Sequence, residues 1–165
     1  MKRFLAILVA AAALPCQAGD ITDIGSLAQD EFRRMSTDLG AAFSYKGVTP
    51  ATPLGTLGFD IGLVVTDTTM EHSTLFARAG AGGQSHLAIG KLHLHKGLPG
   101  GFDIGAFVGG VPDVSASLYG ADVRYAIFDD GLATPAVGIR ASATRSNGLG
   151  PLDLGTAALD LTVSK

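Results

Sequence analysis

The stretch GFDIG occurs at Gly58–Gly62 and again at Gly101–Gly105, an offset of 43 residues. In each copy Phe and Ile flank a single Asp, and Gly closes both ends. Side chains of an extended chain point alternately to its two faces. Phe59 and Ile61, like Phe102 and Ile104, therefore share one face, while Asp60 and Asp103 take the other. The offset spans one full hairpin, so the two copies run in the same direction. Two such strands predict an antiparallel sheet with one apolar and one polar face.

The same period of two recurs along most of the chain. The first run sets Leu39, Ala41, Phe43 and Tyr45 against Gly40, Ala42, Ser44 and Lys46. The second carries the first GFDIG, from Leu57 to Thr66. A third, near residues 86–95, places Leu92 and Leu94 opposite Lys91, His93 and His95. The fourth carries the second GFDIG. A fifth opposes Tyr119, Val123, Tyr125 and Ile127 to Asp122 and Arg124, and a sixth opposes Val137 and Ile139 to Arg140. In the last, Leu159, Leu161 and Val163 oppose Asp160 and Thr162. About seven antiparallel strands are thus expected. Short connections rich in turn formers separate most of them: KGVTPATPLGT, HKGLPGG, GGVPD, DDGLATP and SNGLGP. The exception is Asp67 to Ser85, ending in ARAGAGGQS, which reads as a mobile surface loop.

The 165 residues suffice for one domain. Hydrophobic residues make up 47%, charged residues only 16%, and mean hydropathy is +0.34. Beyond the N-terminus no apolar run is long enough for a transmembrane helix. Hydrophobicity spread by alternation is the weak signature of a membrane barrel. We therefore expect an all-β fold, an antiparallel transmembrane β-barrel. The residues expected to line its lumen are Asp60, Lys91, His93, His95, Asp103, Asp122, Arg124, Arg140 and Asp160. The competing architecture is a secreted soluble β-sandwich acting as a binding module. Its polar face would meet water, and its low surface charge weighs against it.

The N-terminus reads as a signal peptide over residues 1–18: Lys2 and Arg3, the apolar FLAILVAAAALP, then CQA before Gly19. Pro15 ahead of Cys16, the only cysteine, argues against a lipoprotein signal. Export predicts the outer membrane as the address, with its lipid and the barrel-insertion machinery as partners. Residues 19–38 form an N-terminal helical segment, with a short amphipathic helix over about 26–37 capped by Ser26. It would be either a loosely docked periplasmic tail or a plug inside the barrel. Residues 39–165 form the barrel domain. Without Lys2 and Arg3 the net charge moves from −3 to −5, which disfavours nucleic acid.

Seven is an odd number where bacterial barrels are usually even. The final strand LDLTVSK also lacks the terminal aromatic residue common in such barrels. Both features predict a barrel cut short at its C-terminus. A first strand running toward the periplasm also conflicts with an outward-facing loop at 67–85. A lumen-threading helix or one miscounted strand would remove the conflict.

Catalytic signals are weak, and no enzyme, cofactor or metal is assigned. His93 and His95 share a face and could hold a metal with Asp103 as third ligand. Polar lining is the preferred reading. Ser85, His86 and Glu71 could be assembled into a hydrolase set, as residues in many sequences can. GAGG at 80–83 lacks the Lys and helix of a phosphate loop.

The segments SLAQDEFRRMSTDLGAAFSYKGVTPATPLGTLGFDIGL, KLHLHKGLPGGFDIGAF and YGADVRYAIFDDGLATPAVGIR resemble uncharacterised outer-membrane β-barrel proteins of Proteobacteria. The layout of a helix before a barrel is also similar to fatty-acid and hydrocarbon transporters of the outer membrane. The resemblance implies location, and further strands beyond Ser164 and Lys165. The expected function is a passive channel or uptake pore with a charged lumen; the alternative is a structural, envelope-integrity barrel whose opposed charges fill a closed lumen.

Overall fold

The computed structural model describes residues 21–47, 49–83, 85–111, 116–131, 134–149 and 152–165. The signal peptide expected at 1–18 lies outside the described residues, as do parts of the turns expected at 109–113, 129–135 and 146–151. Six strands form one antiparallel sheet in sequential order. They are β1 (Phe59–Thr69), β2 (His86–Gly97), β3 (Phe102–Gly110), β4 (Ser117–Phe128), β5 (Ala136–Asn147) and β6 (Gly155–Ser164). The sheet curls into half a barrel. Both GFDIG copies lie on strands of the same direction, β1 and β3, with β2 between them.

Six strands form where seven were expected. Residues 39–43, read as the start of a strand, belong instead to helix α1 (Gln29–Phe43), longer and later than the helix expected over 26–37. Met35, Leu39, Ala42 and Phe43 recur at helical spacing and are all buried. Burying that stripe decides between two periods that the sequence satisfies about equally. Ser26 lies in a 3₁₀ turn (Ile24–Ser26) rather than at the cap of α1. The cap residue is Ala28, whose amide donates to Glu31 Oε2 at 3.0 Å. No helix among the described residues is long and apolar enough to cross a membrane.

The segment from 67 to 85 is also more ordered than a surface loop. Its first residues extend β1, and Ser73–Arg78 form a short helix, α2. Leu75, Phe76, Ala79 and Ala81 pack with Met35, Leu39 and Phe43 of α1 and with Leu87, Ile89 and Leu118 of the sheet. This apolar cluster closes one end of the curl.

Between α1 and β1 the chain crosses the concave face as a strap, residues 44–58. Lys46 Nζ donates to Thr68 Oγ1 of β1 at 2.6 Å, and the Ala51 amide donates to Ser164 Oγ of β6 at 3.0 Å. The strap therefore reaches both edge strands. With the strap and α1 in place, inward side chains of the middle strands are buried and the convex face stays open.

Candidate functional site

All nine charged or imidazole residues singled out in the sequence lie on the concave face, buried or half-buried. They divide into two groups. All three cations hold the strap. Lys91 Nζ donates to the Ser44 carbonyl at 3.2 Å, and Arg124 Nη1 to Thr49 Oγ1 and to the Pro50 carbonyl at 3.3 Å. Arg140 Nη2 reaches the Tyr45 carbonyl at 3.5 Å, and its guanidinium lies over the Tyr45 ring at 4.7 Å. The matching carboxylates sit on neighbouring strands. Asp103 pairs with Arg124 at 3.1 Å and accepts from the Leu54 amide at 3.1 Å. Asp160 pairs with Arg140 at 2.6 Å. A charge removed from water needs a charged partner and further hydrogen bonds. The strap's backbone supplies the second of these.

The other group is Asp60, His93, His95 and Asp122. Asp60 Oδ2 lies 3.0 Å from His93 Nε2 and 3.8 Å from His95 Nδ1. His95 Nε2 lies 3.0 Å from Asp122 Oδ1 and 3.3 Å from the Tyr45 hydroxyl. Burial pushes that hydroxyl up to about 12, so it stays protonated in neutral water. Tyr45 also stacks on Phe107 with centroids 4.6 Å apart. A cleft of about 610 Å³ opens between the strap residues Thr49–Leu54 and the wall, with Asp60, His93 and Arg124 on its lining.

The register explains the grouping. Asp60 stands opposite His95 across β1 and β2, so its carboxylate meets both imidazoles. Asp103, expected beside them, lies opposite Gly97 and Arg124 and is committed to the arginine. The third member of the histidine cluster is therefore Asp60. The Ser85, His86 and Glu71 set does not assemble: His86 turns to Asp67 at 3.0 Å, while Glu71 lies with Asp38 and His72. The roles of Tyr45, Ser44 and Thr49 carry no signal in the sequence: alternation puts Tyr45 on the apolar face of a strand and Ser44 on its polar face, and Thr49 lies in a turn-rich connection. The Pro pair of KGVTPATPLGT marked a non-strand segment but said nothing of what it would cover.

The convex face has the opposite chemistry. Leu63, Leu94, Val123 and Leu159 are 83%, 51%, 48% and 78% exposed. Charged or imidazole side chains on this face, Asp67, His86, Lys96 and Arg145, sit toward the strand ends. Phe59, Phe102, Tyr125 and Phe128 cluster at the end with the short turns, and Tyr119 lies toward the other. No family model, curated protein or solved structure matches the chain.

Proposed function

We propose that this chain is an outer-membrane β-barrel protein whose convex face meets lipid and whose concave face is closed by its own N-terminal segment. One observation carries the reading: an uncharged apolar band runs across all six strands, fully presented to the surroundings, with charges only at its margins. Monomeric proteins in water rarely present so continuous an apolar face. In a bilayer it matches the alternating strand, with apolar residues outside, polar ones inside and aromatics toward the edges. Strand lengths of 9 to 12 residues also suit the hydrocarbon thickness. Export by the N-terminal signal and delivery to the insertion machinery belong to this reading. So does closure, since β1 and β6 each have only one strand partner among the described residues.

The strap favours a structural barrel with a filled lumen, because the inner charges are spent on holding it. A second reading, a passive uptake pore, is favoured by the cleft beside Asp60 and His93. Fractionation with gels of unboiled and boiled samples tests the first proposal. An outer-membrane band that shifts on boiling is the expected result; a band soluble without detergent overturns it. Conductance in planar bilayers then separates the filled lumen, which passes no current, from the pore.

A further inference from the structure

We infer that Asp60, His93 and His95 form a binding site for a borderline divalent metal ion of the zinc type, with Asp122 orienting His95 from behind. The ligand atoms of the three residues lie within 4.8 Å of one another. Ligands of a tetrahedral zinc ion, each about 2.0–2.2 Å from the metal, stand about 3.3 Å apart. The measured 3.0 and 3.8 Å separations from Asp60 Oδ2 bracket that value.

The hydrogen bonding of His95 points the same way. A carboxylate only accepts, so the Asp122 contact places the His95 proton on Nε2. Nδ1 is then the ring nitrogen left for a metal. It has no hydrogen-bond partner, its side chain is 0% exposed, and it faces the Asp60 carboxylate. A ring nitrogen and a carboxylate oxygen that face each other in a buried site without a hydrogen bond are placed to share a cation. Asp122 behind His95 is also the carboxylate–histidine–metal arrangement that fixes a ligand's tautomer and raises its basicity. The nearby cations are engaged elsewhere, Arg124 by Asp103 and Arg140 by Asp160. Two imidazoles and one carboxylate suit zinc better than calcium or magnesium, which prefer all-oxygen sites. Asp60 and His93 reach the cleft, which gives the ion an entry path and leaves a fourth position open. These are concave-face residues, so the inference does not depend on what covers the convex face.

The test is a zinc titration of the full chain, stripped with chelator and competed against a chromophoric chelator. The expected result is one zinc per chain and a raised unfolding temperature. His93→Gln and Asp60→Asn, both close in volume to the parent, should each abolish stoichiometric binding. Asp122→Asn should weaken it roughly 10- to 100-fold without changing the stoichiometry. Failure of the folded parent chain to bind zinc overturns the inference, as does binding that His93→Gln and Asp60→Asn leave unchanged. If a variant does not fold, modification of the parent by diethyl pyrocarbonate, mapped by peptide, decides: protection of His93 and His95 by zinc supports the site, and its absence there overturns it.

Discussion

Gly105 of β3 stands directly opposite His95 of β2, and a Cβ added at Gly105 would overlap both the imidazole and the Asp122 carboxylate. The same relationship recurs one hairpin earlier. Gly62 lies opposite His93, where a Cβ would sit 2.7 Å from the ring. The closing glycine of each GFDIG copy thus makes the space into which one histidine of His93–Leu94–His95 fits. The repeat is a pair of sockets for two imidazoles.

Gly105→Ala should therefore cost about 1–3 kcal/mol, the usual range for overpacking a tight interior. The nearest atoms belong to two buried side chains that have no free space to retreat into. Thermal unfolding in detergent reads the loss. A variant as stable as the parent would show that the His95–Asp122 pair is loosely held.

Leu94→Arg places a cation within the convex band. If that face meets lipid, the substitution should cost about 2–4 kcal/mol near the bilayer midplane. An exposed position in water would change by no more than about 0.5 kcal/mol. Refolding equilibria into lipid vesicles distinguish the two outcomes.

Arg124→Met leaves Asp103 as an unpaired carboxylate with only 3% of its side chain exposed. Loss of one partner of a buried pair costs about 3–5 kcal/mol. The double variant Asp103→Asn with Arg124→Met should lose less than the two single variants together. Arg124 also holds Thr49 and Pro50, so limited proteolysis should cut the strap faster in Arg124→Met than in the parent.

Glu31 has its carboxyl held below the ordinary glutamate range, first by the hydrogen bond from Arg78 and then by the Ala28 amide. A depressed folded value means that the contact stabilises above the ordinary glutamate pKa and is lost as pH falls through the lowered one. Acid titration of stability should show a loss in that window, and Glu31→Gln should flatten it.

The strands were legible because their two faces differ so sharply: Phe, Ile and Leu against Asp, Arg and His at a strict period of two. Residues 39–46 misled because Leu39, Ala41, Phe43 and Tyr45 alternate, while Met35, Leu39, Ala42 and Phe43 also fit a helix. Only the apolar partners Leu75, Phe76 and Ile89, distant in sequence, settle which period wins. With that strand lost, β1 runs toward the α2 end, where Thr22 and Asp23 also dock on Ala79, and the strap carries the chain from that end to the start of β1. His93 and His95 could be found from their spacing. Their third companion could not, because Asp60 and Asp103 sit in identical pentapeptides and only the register tells them apart.

The strap has a consequence for the order in which the molecule forms. Each strand pairs with its immediate neighbour in sequence, so the wall can grow hairpin by hairpin with short closures. The contacts that seat the strap bridge separations from 22 residues, at Lys46–Thr68, to 113, at Ala51–Ser164. Arg124, Arg140 and Ser164 lie on β4, β5 and β6, whereas the segment they bind precedes β1. Closing those long loops costs more entropy than closing the hairpins, so the strap is expected to seat only after the wall that holds it has formed.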